Sequence, residues 1–374
     1  MNAEKASRSQ YHDAAAEADI GRERASARQR MTDKVRIGII GAGIVARDMH
    51  LPVISTMPRI DIAWVCDLDP ERARQLAGAY STGSVYSKVE QCPDVDIALV
   101  AVPVGARRTL MPLLLNRRWN LLCEKPFAVT VGDHDDYLAL ARTRGCQIGV
   151  GLLRRYARAT AAARRIIRER TFGNIVRVWA NDGSRAKRTG MEAEWYMNRP
   201  SAAGGGILAE TGSHLLDQLG YILDGQVFRL EACRQTRYAD LDIDTIAHGT
   251  LTTPGQAAIP CCFQVSRLHD LCNGIFVAFG GAILRCGLGF DDPLEIYTPG
   301  GTCVGRIETP GGATELLQAV YLEWSEFIGQ CLEGVPSAIS AETTRLSTSI
   351  IEQCYRAGGV SADPVRTESY ARAS

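Results

Sequence analysis

The chain has 374 residues, a formal net charge of zero and 46% hydrophobic residues. This length suits two domains better than one. The balanced charge argues against binding nucleic acid or a membrane surface through a basic field. No apolar run approaches the roughly 20 residues that a membrane-spanning helix needs.

The N-terminal 33 residues are rich in Ala, Arg, Ser and Glu and have no core-forming pattern. They contain no apolar stretch for a signal peptide and too many acidic residues for a transit peptide. We interpret 1–33 as a mobile extension, with Met31 as a plausible second start. The twelve cysteines fall mostly in apolar runs and form no Cys-x-x-Cys pair. They are expected to be free thiols of a cytoplasmic protein, not disulfide partners or zinc ligands.

The segment 34–153 alternates short apolar runs with helix-length amphipathic stretches. The predicted strands are Val35–Ile40, Ile62–Cys66, Ile97–Val102, Leu121–Cys123 and Gln147–Val150, and the predicted helices are Pro70–Tyr80, Thr109–Arg118 and Val131–Arg144. Continuous apolar strands separated by helices are typical of a parallel sheet covered on both faces. We therefore predict an α/β fold that begins with a doubly wound Rossmann domain.

The segment 154–362 has a different pattern and is predicted to form an α+β domain. Helices are expected at Ala157–Arg170, Leu208–Leu223, Glu315–Glu333 and Ala341–Ala357. Strands are expected at Ile175–Ala180, Leu230–Thr236, Thr245–Leu251, Ala257–Val265, Gly274–Phe279, Ile283–Leu288 and Leu294–Tyr297. Their alternation and the Gly and Pro turns between them favour a mainly antiparallel sheet. Residues 363–374 are expected to be a tail.

A glycine-rich turn directly follows the first strand. The run Gly41-Ala42-Gly43-Ile44-Val45-Ala46 matches G-x-G-x-x-G/A, in which the glycines permit a tight turn and close approach of a pyrophosphate. Asp67 ends the second strand, where a carboxylate binds the ribose hydroxyls and repels a 2′-phosphate. NAD is therefore favoured over NADP. The alternative is that Asp67 caps a helix, a role better suited to Asp69, which precedes Pro70.

Lys125 follows the strand that ends at Cys123, at an edge where open α/β sheets bind ligands. Its neighbours are Glu124 and Pro126, and the proline restricts the backbone and so helps to aim the lysine. A lysine in this place can hold a substrate hydroxyl that must lose its proton. The alternative is an ordinary solvated surface charge.

In the second domain, Gly204-Gly205-Gly206 precedes a helix that carries Glu210, His214 and Asp217 on one face. A histidine with a near-neutral pKa can accept a proton from an alcohol. Glu210 could orient the imidazole or bind a substrate hydroxyl, and Asp217 could anchor the imidazole instead. A solvated polar face is the simplest alternative. A metal site lacks sufficient histidines, and a serine hydrolase lacks its Gly-x-Ser-x-Gly elbow.

Arg154, Arg155 and Tyr156 follow the last strand of the first domain and could bind substrate hydroxyls. A solvated helix start is an equally good explanation. The loop from Asp182 to Arg199 combines basic and aromatic side chains, of which Trp195 is a candidate for stacking on a sugar ring. The other basic and aromatic residues that we consider in this loop are Arg185, Lys187, Arg188 and Tyr196.

Together these motifs resemble the glucose-fructose oxidoreductase / inositol dehydrogenase / rhizopine catabolism (Gfo/Idh/MocA) family over about residues 35–359. The resemblance rests on the glycine turn, Asp67, Glu124-Lys125-Pro126, Arg155-Tyr156, and the triple glycine with His214 and Asp217. It implies that the second domain has an open-faced sheet through which homodimers or homotetramers form. It also implies that Lys125 and His214 are catalytic and that Glu210 occupies the place of the family's aspartate.

Two departures from the family pattern concern the site. Glu210 is one methylene longer than aspartate, and Arg107 stands where the family usually has histidine, in the run Val102-Pro103-Val104-Gly105-Ala106-Arg107. By the same resemblance, Val102 and Pro103 join the glycine turn, Glu124, Lys125 and Pro126 as cofactor-binding candidates.

The function expected from the sequence is hydride transfer between NAD(H) and a secondary alcohol or ketone carbon of a sugar, aminosugar or cyclitol. No metal, nucleic-acid or membrane partner is expected. Two alternatives use the same fold. One is a non-catalytic sugar sensor that binds NAD(P), and the other is an NAD-dependent glycosidase.

Overall fold

The structure is a computed structural model that describes residues 34–82, 84–185, 204–238, 240–307 and 311–358. The predictions for the extension 1–33, the tail 363–374 and the side chains of Lys187, Arg188, Trp195 and Tyr196 lie outside these ranges. Within these ranges no helix has both the length and the apolar character to cross a membrane.

The first domain contains a six-stranded sheet in which every neighbouring pair is parallel. Its strands are β1 (Val35–Ile40), β2 (Ile60–Cys66), β3 (Val85–Tyr86), β4 (Ile97–Val100), β5 (Asn120–Cys123) and β6 (Ile148–Val150). Their order, β3-β2-β1-β4-β5-β6, is that of a dinucleotide-binding Rossmann sheet. The doubly wound domain is confirmed. The sequence missed β3, because two partly buried residues are too short to show periodicity.

Helices cover this sheet. The helices are α1, in two parts (Ala46–His50 and Leu51–Ile54), α2 (Pro70–Ala79), α3 (Arg107–Asn116) and α4 (Val131–Arg144). Short 3₁₀ turns occur at Val89–Gln91, Val104–Ala106 and Leu153–Tyr156. Because α1 starts within the glycine turn and α3 starts just after β4, both begin at the carboxyl edge of the sheet, where a ligand would bind.

The second domain contains an eight-stranded mixed sheet. Its strands are β7 (Ile175–Gly183), β8 (Val227–Tyr238), β9 (Leu241–Thr253), β10 (Gln256–Ser266), β11 (Gly274–Phe279), β12 (Ile283–Cys286), β13 (Leu294–Tyr297) and β14 (Cys303–Ile307). Their order is β14-β13-β12-β11-β7-β10-β9-β8, and only β7 and β10 pair in parallel. The mainly antiparallel sheet is confirmed. The sequence missed β14, whose residues are partly or fully exposed and so show no apolar alternation.

The remaining helices are α5 (Arg158–Arg168), α6 (Ile207–Glu210), α7 (Gly212–Leu223), α8 (Leu316–Glu333) and α9 (Arg345–Ala357), with a 3₁₀ turn at Ala341–Thr344. One face of the large sheet packs on α7 through Leu215, Leu219 and Ile222, all fully buried. The predicted single helix from Leu208 is thus interrupted at Thr211, between α6 and α7. Helix α8 packs back on the first domain, where Trp324 and Phe327 join the core around β1.

The other face of the large sheet carries a cross-strand aromatic pair. Trp179 and Phe276 stack with their ring centroids 5.0 Å apart. Their neighbours Val178 and Ala180 point to the helix-covered core instead. The homodimer or homotetramer expected to form through this face stays a prediction.

Candidate active site

The glycine turn has the geometry that a dinucleotide needs. Gly41 has φ +97°, and a Cβ there would lie 2.4 Å from the carbonyl oxygen of Ala101, so the position admits only glycine. A Cβ on Gly43 would meet nothing within 4 Å, so open space lies beside the backbone where a pyrophosphate would approach. Ala46 is fully buried and Ile44 is exposed. These residues fit an NAD(P) phosphate site.

Asp67 lies against this turn. Its Oδ2 accepts a hydrogen bond from the Ala42 backbone N–H at 2.7 Å, and its Oδ1 accepts one from the Asp69 N–H at 2.9 Å. Asp69, not Asp67, caps α2 by accepting from the N–H groups of Glu71 and Arg72. Asp67 is therefore placed at the glycine turn, where a ribose would bind, and it has no role as a helix cap.

Replacing Asp67 by alanine should raise the affinity for NADP relative to the affinity for NAD. The change removes a carboxylate that can bind ribose hydroxyls and that repels a 2′-phosphate. A hydrogen bond to a charged group contributes about 1.5–3 kcal/mol, so we expect NAD affinity to fall roughly 10- to 100-fold. Titration of both cofactors measures this ratio. Asp69→Ala is the matched control, because it should lower stability and leave the ratio unchanged. An unchanged ratio in Asp67→Ala would argue against this assignment.

Lys125 reaches across to the second domain. Its Nζ donates a hydrogen bond to the backbone oxygen of Glu210 at 3.1 Å and lies 3.8 Å from the Glu210 Oε1. The ammonium group is largely buried, with the side chain 19% exposed. Two residues 85 positions apart in the sequence thus meet at the carboxyl edge of the parallel sheet. The structure brings together the lysine and the carboxylate that the sequence selected independently.

A hydrogen-bonded chain behind Lys125 fixes its backbone. The Glu124 carboxylate accepts from the Lys125 N–H at 3.1 Å and from His50 Nε2 at 2.9 Å. Trp324 Nε1 donates to His50 Nδ1 at 3.0 Å, so His50 must carry its proton on Nε2 and donate it to Glu124. Burial would raise the pKa of Glu124, but His50, Lys125 and Arg107 outweigh it and hold that pKa below its ordinary value. Glu124 stays ionised beneath the site.

Arg107 holds the loop that follows Lys125. Its guanidinium is buried and donates to the backbone oxygens of Pro126, Phe127 and Val102, at 2.6, 3.2 and 3.1 Å. Burial lowers the pKa of Arg107 from its ordinary value. At the position where the resemblance implies histidine, this chain thus has a buried residue that braces the backbone. Pro103 lies immediately before the 3₁₀ turn that leads into α3.

The triple glycine lets α6 begin tightly against β9. The N–H groups of Gly206 and Leu208 donate to the buried Asp242 carboxylate, each at 2.8 Å. A Cβ on Gly206 would lie 2.1 Å from the Asp242 backbone oxygen, and one on Gly205, at φ +139°, would lie 2.1 Å from the Tyr355 hydroxyl. The glycines are required by this close approach, which fixes where Glu210 emerges.

The Glu210 carboxylate is engaged by neighbours other than His214. Its Oε2 accepts from Thr211 Oγ1 at 2.5 Å and from Arg267 Nη2 at 3.0 Å. Burial would raise the pKa of Glu210, but Lys125, Thr211 and Arg267 together lower it. Glu210 is therefore an anion held between two cations. The structure shows no hydrogen bond by which it would orient the imidazole.

His214 is partly buried beside this group, and its Nδ1 is buried with no hydrogen-bond partner among the described residues. Burial, followed by the positive charges of Lys125 and Arg154, lowers the pKa of His214 well below its ordinary value. The imidazole is therefore neutral at physiological pH. A neutral histidine with an unused ring nitrogen can accept a proton.

Arg155 and Asp217 have a different role from those suggested by the sequence. They form a buried ion pair, in which the Arg155 Nε lies 2.7 Å from Asp217 Oδ2. The other Arg155 donors bind Asp217, the Ala338 oxygen and Thr343, so none is left for a substrate. Asp217 is likewise too fully engaged to anchor His214. The predictions that Arg155 binds substrate and that Asp217 could anchor the imidazole of His214 do not agree with this pairing.

Tyr156 is also directed away from the site. It is buried, and its hydroxyl donates to the Glu326 carboxylate on α8 at 2.9 Å. Its expected contact with substrate is thus replaced by a contact between the 3₁₀ turn and a late helix. Arg154 does remain near the site, where its Nη2 donates to Asp182 at 2.8 Å.

Several site residues have no local signal in the sequence. Arg267, Asp182, His50 and Trp324 reach the site from elements that are distant along the chain. Of these, Asp182 begins the loop that the sequence pattern singles out, and His50 follows the glycine turn as one of six histidines. Within the described ranges, no group of three or more His, Cys, Asp or Glu residues could hold a metal ion.

Curated relatives of this chain include dehydrogenases of small hydroxylated compounds. Trans-1,2-dihydrobenzene-1,2-diol dehydrogenase of Sus scrofa is 25% identical over 65% of this chain and 71% of its own length. D-apiose dehydrogenase of Paraburkholderia graminis is 26% identical over 73% and 72%. A putative UDP-kanosamine synthase oxidoreductase subunit of Amycolatopsis mediterranei is 30% identical over 52% and 53%.

Solved structures share the fold. Aldose-aldose oxidoreductase of Caulobacter crescentus, complexed with glycerol, superposes with a TM-score of 0.73 at 17% identity, over 87% of this chain and 98% of that one. Levoglucosan dehydrogenase, in complex with NADH and levoglucosan, gives 0.74 at 15% identity, also over 87% and 98%. At such identities the similarity shows the fold alone.

Two family models match successive parts of the chain. Residues 35–152 match the oxidoreductase family with an NAD-binding Rossmann fold, and residues 160–275 match the GFO/IDH/MocA C-terminal domain. Together they cover the glycine turn, Lys125, Glu210 and His214. The chain therefore belongs to the Gfo/Idh/MocA family and is an oxidoreductase with an NAD(P)-binding Rossmann domain.

Proposed function

We propose that this protein transfers hydride between NAD(H) and a secondary alcohol or ketone carbon of a sugar, aminosugar or cyclitol. The observation that carries the proposal is the meeting of Lys125 with Glu210, beside a neutral His214 that has an unused Nδ1. This arrangement provides a cation to hold an oxygen and a base to take its proton. Both lie at the edge of the sheet that binds the dinucleotide.

Each side chain has a separate task in alcohol oxidation. Lys125 holds and polarises the hydroxyl oxygen, and Glu210 keeps the ammonium group in place. His214 accepts the hydroxyl proton. Bound nicotinamide supplies the hydride acceptor. In the reverse direction protonated His214 returns the proton to the oxygen.

NAD is the proposed cofactor because Asp67 places a carboxylate beside the glycine turn. A 2′-phosphate there would meet a like charge, and the next residues, Leu68, Asp69 and Pro70, provide no cation. The relatives named for sugar and diol oxidation support the choice of polyhydroxylated substrates.

The proposal is tested by incubating the purified protein with NAD and a panel of sugars, aminosugars and cyclitols while following NADH absorbance. We expect net NADH formation with at least one group of related compounds. Tight ligand binding with no turnover in either direction would favour a sensor. Glycoside cleavage without net NADH formation would favour the glycosidase. Either result would overturn the proposal.

Lys125 is also expected to set the pH range of the reaction. Burial first, and then the charge of Lys125, lower the pKa of His214, so wild-type activity should persist at pH values below the ordinary pKa of histidine. In Lys125→Met the cation is gone and the His214 pKa rises, so the acid limb of kcat/KM should move to higher pH, besides an overall loss of rate. A pH profile of both proteins measures this shift. An acid limb at the same pH in both would show that His214 is not the titrating group.

A further inference from the structure

Two cations act on His214. After burial, the charges of Lys125 and Arg154 lower the pKa of the imidazole, although each cation also lies near a carboxylate, Glu210 and Asp182 respectively. Asp217 is committed to Arg155, and the Glu210 carboxylate is bound by Thr211 and Arg267. Arg267 adds a third cation, and its side chain is 34% exposed.

Arg154 has a donor that the protein does not use. Its Nη2 donates to Asp182, but its Nη1 is buried and has no acceptor among the described residues. An unsatisfied buried donor is destabilising because it has lost its hydrogen bonds to water, so such a group calls for an explanation. In a guanidinium the donors form a fixed fork that matches the two oxygens of a carboxylate.

Two independent observations therefore indicate the same missing partner. The buried Arg154 Nη1 lacks an acceptor among the described residues, and Lys125 and Arg154 both place positive charge on the imidazole of His214. An anionic oxygen supplied by the substrate would accept from Arg154 Nη1 and offset this charge.

We infer that the substrate is a polyhydroxy acid whose carboxylate is bound by Arg154 while the reacting hydroxyl lies between Lys125 and His214. This inference rests on the proposed function and specifies its substrate class. The reaction breaks the carbinol C–H bond, whose electron pair passes to NAD⁺ as hydride. The O–H proton passes to His214, and the product is the corresponding keto acid with its carboxylate unchanged.

The experiment compares acids with matched neutral compounds. Glucuronate and galacturonate are each tested against the methyl ester and the parent sugar, with wild type, Arg154→Gln and Arg165→Gln. Arg165 is an exposed arginine on α5, so the same change there is the control. We expect wild type to prefer the acids. In Arg154→Gln, KM for the acids should rise roughly 30-fold or more, as for loss of one partner of a buried charge pair, and this rise should exceed any change for the matched neutral compounds.

Two further measurements keep the test decisive. The double variant Arg154→Gln/Asp182→Asn removes the carboxylate that the single variant leaves unpaired, and it should show the same loss for the acids. Calorimetric titration of the NAD-loaded protein with glucuronate measures binding whether or not turnover occurs. Equal use of acids and neutral sugars, with Arg154→Gln affecting both alike, would overturn the inference and leave the proposed function standing. Failure of every compound to reduce NAD would count against the proposed function itself.

Discussion

His214→Ala is expected to lower kcat/KM by roughly 10²- to 10⁴-fold on the true substrate, the usual contribution of a positioned acid–base group. The imidazole is the neutral side chain with an unused nitrogen beside Lys125, and no other described group there has both properties. NAD affinity should be unchanged, because the glycine turn and Asp67 lie in the other domain. Steady-state kinetics and a separate NAD titration measure the two effects.

A matched control for this variant is His248→Ala. His248 is exposed on β9 and has no part in the proposed chemistry, so its loss should leave turnover within a few-fold of wild type. His214→Asn keeps a polar side chain but supplies no base near neutral pH, so it should be as slow as alanine. Near-normal turnover in both His214 variants would rule out the proposed proton transfer.

The second large effect concerns stability. Arg155→Ala should lower the free energy of unfolding by about 3–5 kcal/mol, because it leaves the buried Asp217 carboxylate without its partner. The change also leaves the Ala338 and Thr343 oxygens without their donor and removes the guanidinium from the face of Tyr221. The Arg155–Asp217 ion pair joins the 3₁₀ turn after β6 to α7, the helix that carries His214. Urea unfolding of wild type and variant measures the loss.

Two comparisons separate the buried charge from a general effect of losing an arginine. Arg158→Ala removes a more exposed arginine that lies 3.6 Å from Asp291, and it should change the free energy of unfolding by about 1 kcal/mol or less. The double variant Arg155→Met/Asp217→Leu removes both charges and should be more stable than Arg155→Ala. A double variant less stable than the single one would contradict the role given to the unpaired carboxylate.

The sequence could predict the Rossmann domain because its evidence is local. Strand β1 was predicted with its observed bounds, Val35–Ile40, from a continuous apolar run before a glycine turn. Helix α6–α7 was predicted as one element, because periodicity does not register a break at Thr211. Strand β14 has too few buried residues to give a signal.

The site was predictable only in part. Lys125, Glu210 and His214 were selected from short motifs, and the structure places them together. Arg267 could not be selected, because it lies 57 residues after Glu210 in a segment with no motif. The sequence also could not predict the hydrogen bonds that link Trp324, His50 and Glu124, because they join residues up to 274 positions apart.

By itself, the sequence determined the fold class, the dinucleotide turn and the candidate lysine and histidine, because each depends on residues close together along the chain. Only the tertiary structure decided which of Arg154 and Arg155 is available to a substrate. These neighbours have the same side chain, yet Arg155 points inward to Asp217, while Arg154 stays at the site with a donor to spare. The physical reason is that burial and charge pairing depend on which distant segments meet: Asp217 on α7 and the turn before α9 supply the hydrogen-bond partners of Arg155, whereas Asp182 on β7 pairs with Arg154.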